Sequence, residues 1–115
     1  MIKLESLKKS QHFRAGLKDR KFHNDFFSLF VSKNFIKPQN KSSLIISFVM
    51  KKKIGNAVKR NKIRRKLKAI VIKLLKIKGA INKDYTYIVF GKSNAYGKKQ
   101  DVLLSAMIKC FNKIK

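Results

Sequence analysis

Between Asp25 and Asp84 the chain has no acidic residue, yet the segment Lys51-Lys52-Lys53-Ile54-Gly55-Asn56-Ala57-Val58-Lys59-Arg60-Asn61-Lys62-Ile63-Arg64-Arg65-Lys66-Leu67-Lys68 within it is crowded with Lys and Arg. A helix built there cannot offset its cations with i,i+4 ion pairs. It must be held by an apolar face instead, and the pattern supplies one. At about 100° per residue, Ile63, Leu67, Ile70, Val71 and Leu74 fall within roughly 100° of one another. The spacing predicts a helix to about Ile77, with Asn56 as the N-cap accepting an orphan backbone N–H and Gly79 just past the end. Asn61, Arg64, Arg65 and Lys68 fall on the adjoining arc. One helix therefore carries a greasy face beside a cationic one.

The whole chain extends the same imbalance. Its 115 residues carry a formal net charge of +25, with 44% hydrophobic residues. That is the size of one domain, 1–115, and enough apolar material for a packed core rather than a disordered basic tail. The five acids, Glu5, Asp19, Asp25, Asp84 and Asp101, are scattered, which argues against a carboxylate-based enzyme. A single cysteine, Cys110, excludes an internal disulfide or a CxxC site, and its helical surroundings predict a buried thiol. His12 and His23 lack partners at metal-ligand spacing. No signal-peptide core and no span of roughly 20 apolar residues is visible, so a soluble, cytoplasmic protein is expected. Charge of this size calls for a polyanion, with nucleic acid ahead of an anionic membrane surface.

The remaining segments predict one α+β domain. A short helix starts near Ser6 and runs through Phe13 to Leu17, which lie four apart on one face. Lys21 to Lys33 reads as strand, interrupted around His23-Asn24-Asp25. A loop around Pro38 covers residues 34 to 43. Leu44 to Met50 reads as a central strand with both faces covered. Tyr85 to Phe90 is another strand, and Leu103, Met107, Cys110, Phe111 and Ile114 mark a last helix from about Gln100 to Lys113. The stretch Gly91 to Lys98 superficially suggests a phosphate-binding loop. It fails, because five residues separate its glycines instead of four and Lys99 stands where Ser or Thr must hold magnesium.

The stretch KKKIGNAVKRNKIRRKLK closely resembles the signature region of the bacterial ribonuclease P protein component family. The family pattern is met by Lys52-Lys53, Gly55, Ala57-Val58, Arg60-Asn61, Arg64-Arg65 and Lys68. Weaker agreement in the order of elements extends over nearly the whole chain. Three positions depart from the pattern: Lys68 replaces an Arg and loses its bidentate fork, Leu17 stands where an aromatic is common, and Ser47 where Gly is frequent.

The resemblance implies an α-β sandwich of order αβββαβα with a left-handed βαβ crossover through the basic helix, against the usual hand. It implies a protein subunit of a ribonucleoprotein that removes the 5′ leader from precursor tRNA. Catalysis would belong to the RNA and its bound Mg²⁺, with no cofactor held tightly by the protein and no obligate protein partner. Arg60, Asn61, Arg64, Arg65 and Lys68 would contact the catalytic RNA. A groove between the sheet and the first helix would hold the leader, lined by Phe13 and Phe27 with Lys52 and Lys53 on its backbone. The alternative from another class is a small structural ribosomal protein that binds rRNA. A membrane-surface protein is disfavoured because no terminal amphipathic helix with exposed aromatics is present.

Overall fold

A computed structural model describes residues 3–36, 43–77 and 79–114. It contains the strands β1 (Leu4–Glu5), β2 (Arg20–His23), β3 (Phe27–Lys33), β4 (Leu44–Val49) and β5 (Tyr85–Gly91), with the helices α1 (Ser10–Gly16), α2 (Ala57–Leu75) and α3 (Gln100–Ile114). The expected order αβββαβα is present, preceded by β1. That two-residue strand is too short to leave a pattern in the sequence. Most of the proline loop predicted for 34–43 lies outside the described residues.

The strands form one sheet in the order β1-β4-β5-β3-β2. β2 pairs antiparallel with β3 and β3 with β5, while β4 and β5 run parallel and β1 joins β4 in parallel. Parallel neighbours need a long crossover, and α2 provides it. The break between β2 and β3 falls where the sequence places it. There Asn24 Oδ1 accepts from the backbone N–H groups of Phe26 at 2.8 Å and Phe27 at 3.0 Å, closing a side-chain-capped turn.

Residues of alternating parity send their side chains to opposite sheet faces. One face carries Phe27, Leu29, Val31, Leu44, Ile46, Tyr87 and Val89, and α2 and α3 cover it. From α2 the buried side chains are Ile63, Leu67, Ile70, Val71 and Leu74, the stripe read from the sequence. From α3 they are Leu103, Met107, Cys110, Phe111 and Ile114. Tyr87 packs its ring edge-on to Phe111 at 5.1 Å and donates its hydroxyl to the Asn82 carbonyl at 2.7 Å. Cys110 is buried, as expected, and burial pushes its thiol pKa up.

Among the described residues, the other face is covered by α1 and the segment before it, with Ile36 also packed against it. Leu7, Ile45 and Ile88 form the buried centre there, with Phe13, Phe30, Val49 and Phe90 partly buried around it. The helix approaches closely because Gly16 has no side chain: a Cβ there would stand 2.8 Å from Ile88 Cδ1. Ser47 is part of the same arrangement. Its hydroxyl accepts the buried Leu7 N–H at 2.8 Å, so the residue that departs from the family pattern satisfies a backbone donor.

The joint between β4 and α2 is set by three features. A 3-10 turn over Lys52–Ile54 follows the strand. Gly55 then takes φ 155, a backbone region essentially reserved for glycine. Asn56 caps α2 by accepting from Lys59 N–H at 3.0 Å. At the end of β5, a Cβ on Gly91 would run into Met50 Sδ and lie 2.9 Å from Ile63 Cγ2. Gly91→Ala should therefore push α2 off the sheet and destabilise the protein by about 1–3 kcal/mol, read from the midpoint of urea unfolding.

Candidate nucleic-acid interface

Packing of the apolar stripe fixes how α2 is rotated, and its cations divide into two flanks. On the first lie Arg60, Asn61, Arg64, Arg65 and Lys68. Asn61, Arg65 and Lys68 are exposed, and Arg60 and Arg64 half-buried. Arg64 Nη1 donates to Asn61 Oδ1 at 3.0 Å, which holds the amide and the guanidinium side by side on the surface. Arg60 Nε is buried and has no hydrogen-bond partner among the described residues, a cost taken without internal compensation. The structure thus brings the five expected residues together on one side of one helix.

The second flank is turned toward the segment between β5 and α3. Lys66 Nζ donates to the carbonyls of Tyr96 at 2.6 Å, Lys98 at 2.8 Å and Ala95 at 3.5 Å. Burial, and then the charge of Lys62, hold the Lys66 ammonium below its ordinary pKa. Lys59 Nζ reaches Ser93 Oγ at 2.9 Å, and Lys73 Nζ reaches Gln100 Oε1 at 2.8 Å. These lysines were not separated from the rest of the basic run by the sequence, because their partners lie about thirty residues further on.

Opposite α2 and α3, the sheet face beside α1 carries partly exposed aromatic side chains. Phe13 lies on that side, half-buried on α1. Phe27 does not. It is 0% exposed in the larger core, on the face under α2 and α3, and no ring surface is left for a base. The groove expectation is corrected accordingly: the β3 aromatic on the open face is Phe30, one strand position of the other parity. Phe30 meets Phe90 of β5 edge-on at 5.4 Å. Lys21 Nζ lies 5.4 Å from the Phe30 ring centre and Lys51 Nζ 5.4 Å from that of Phe90. Cations over partly exposed rings are the chemistry of a single-strand platform. Lys52 and Lys53 follow Lys51 in the exposed 3-10 turn at the end of β4. Leu17 is exposed at the end of α1, where it offers no ring.

Strand parity was the only signal available for Phe30 and Phe90. It separates Phe27 from Phe30 but does not say which set the helices cover. Among the described residues, no group of three or more His, Cys, Asp or Glu could hold a metal ion. Nor is any helix long and apolar enough to cross a membrane.

Known proteins of this kind exist. The sequence model of the ribonuclease P protein family, described as "Ribonuclease P", matches residues 1–115. A ribonuclease P protein component from Helicobacter acinonychis is 38% identical over 82 residues, covering 60% of this chain and 54% of that protein. One from Helicobacter pylori is 37% identical over 86 residues, covering 60% and 53%. The matches thus span about half the length of these curated relatives. Among solved structures, the ribonuclease P protein of Thermotoga maritima superposes with a TM-score of 0.74 at 20% identity, covering 96% of this chain and 98% of that one. That of Staphylococcus aureus gives 0.61 at 23% identity, covering 95% and 93%. At such identity these two likenesses speak to the fold alone.

The parity assignment has a direct consequence for stability. Phe27→Ala should cost about 3–5 kcal/mol through the cavity it opens. Phe30→Ala should cost less, about 1–2 kcal/mol, since that ring is only partly buried. Urea unfolding of the two variants gives the comparison, and equal losses would reverse the assignment of faces.

Proposed function

Because the chain belongs to the ribonuclease P protein family, we propose that it serves as the protein subunit of that ribonucleoprotein, binding its RNA and the 5′ leader of precursor tRNA during 5′ maturation. The observation that carries this reading is the Arg60–Lys68 flank of α2. Arg65 and Lys68 are exposed and Arg60 and Arg64 half-buried, they share a helix that has no acid, and no acid occurs in sequence between Asp25 and Asp84. Such a surface is electrostatically incomplete without a polyanion.

The division of labour follows from the residues present. Among the described residues no group of three or more His, Cys, Asp or Glu could hold a metal ion, and what they do present is charge and position. Arg60, Arg64 and Arg65 offer planar forks to phosphate oxygens, and Lys68 a point charge. Asn61, held by Arg64, adds an amide able to donate to phosphate or ribose. Neutralising RNA phosphates at this flank lowers the Mg²⁺ the RNA requires to keep its active fold. On the opposite face of the sheet, Phe13, Phe30 and Phe90 can stack leader bases while Lys21, Lys51, Lys52 and Lys53 take the backbone. Reaction chemistry is left to the RNA and its own Mg²⁺.

Reconstitution tests the reading. Added to a bacterial ribonuclease P RNA at low Mg²⁺, the protein should raise the rate of precursor-tRNA cleavage. An unaltered rate would reject the subunit role and return the chain to the structural rRNA-binding alternative. The double variant Arg64→Ala/Arg65→Ala should lower RNA affinity and flatten the slope of log K against log salt by about 1.4–1.8, the worth of two phosphate contacts. A slope equal to that of the unaltered protein would mean the flank is merely solvated.

A further inference from the structure

The basic run of α2 contains more cations than the Arg60–Lys68 flank uses, and the structure collects the surplus around one aromatic ring. Tyr96 lies in the segment between β5 and α3 and is exposed. Lys62 Nζ stands 4.7 Å from its ring centre and Lys59 Nζ 5.3 Å. The segment carrying the ring does not hang loose. Lys66 ties it to α2 through three backbone carbonyls, and Lys59 adds a hydrogen bond to Ser93. Lys98 and Lys99 follow two and three positions after the ring, both exposed. Lys98 Nζ in turn lies 5.9 Å from the ring centre of half-buried Phe26.

The bland account is a solvated lysine cluster, and it explains the arrangement poorly. Lys62 and Lys66 are like charges at i,i+4, which weakens a helix rather than supporting it. Lys59 and Lys62 both stand over the Tyr96 ring, and α2 offers them no acid. Holding a large exposed ring among them by an ammonium tied to three carbonyls looks instead like preorganisation for a ligand with both phosphate and a flat base. Unpaired nucleotides have that chemistry, and base-on-aromatic stacking beside cations is the usual way of holding them.

We propose that the corner formed by Tyr96, Lys59 and Lys62 binds an unpaired segment of the partner RNA, so that α2 is gripped by RNA along both flanks. This rests on the subunit reading above. The occupant is the partner RNA rather than the leader because of where the corner lies. α2 packs on the sheet face opposite Phe13, Phe30 and Phe90. A strand on that side is separated from Tyr96 by the thickness of the sheet. An RNA lying against the Arg60–Lys68 flank, in contrast, has only to cross the same helix.

The test measures binding of the full-length protein to ribonuclease P RNA across a salt series, with precursor-tRNA affinity of the assembled complex as a second readout. Tyr96→Ala should weaken RNA binding about 5- to 100-fold with an unchanged salt slope, whereas Tyr96→Phe should bind normally. Lys62→Ala, an exposed change that leaves the ring in place, should lower the slope by about 0.7–0.9. Arg64→Ala/Arg65→Ala serves as the control for the parent reading. If that control weakens binding while Tyr96→Ala and Lys62→Ala do not, the corner is solvated surface and the proposal falls alone. If Tyr96→Ala spares RNA binding but lowers affinity for precursor tRNA, the assignment to the partner RNA is overturned. If none of the variants, the control included, alters binding, the subunit reading itself fails and this inference goes with it.

Discussion

The seating of one helix on one sheet face organises this molecule. Ile63, Leu67, Ile70, Val71 and Leu74 enter the core between β4, β5 and α3, and no other stripe on α2 is apolar enough to replace them. Burial of these side chains fixes the helix about its axis, because turning it would trade them for lysine and arginine. Everything charged on α2 is then placed by default. Arg60, Arg64, Arg65 and Lys68 emerge on one side, and Lys59, Lys62, Lys66 and Lys73 on the other.

The two flanks differ in what they have available. The lysines find neutral partners in the turn after β5, chiefly the carbonyls that Lys66 gathers. A carbonyl satisfies a hydrogen-bond donor but does not cancel a charge, so even this flank keeps its positive potential. The arginines have less, since their near neighbour is Asn61, itself neutral. Carbonyls and amides can organise these cations, but only an external anion neutralises them. That is the physical link between the sequence composition and the polyanion partner proposed above.

Glycine and serine decide how tightly the layers close. Gly91 lets β5 come up against Met50 and Ile63, and Gly16 lets α1 come down on Ile88. Ser47 completes the second contact by accepting the Leu7 N–H. α1 is short and shares the cover of its sheet face with the segment before it and Ile36. The rings of Phe30 and Phe90 are left partly in solvent beside it.

The linear sequence by itself determined the main elements, the buried stripe of α2, the Asn56 cap and the cationic arc. These depend on residues within a few turns of one another, where periodicity and capping chemistry are local. The family signature is local for the same reason, with Gly55 at the one backbone conformation that needs it. Tertiary structure alone decided that Phe27 is fully buried and Phe30 partly exposed, because β3 is apolar on both parities and the choice is made by which face α2 and α3 cover. It alone paired Leu4 with Leu44 in the two-residue β1, and it alone brought Tyr96 to Lys59 and Lys62. Those contacts join positions more than thirty residues apart, and no repeat along the chain records which distant side chain will fill a neighbour's space.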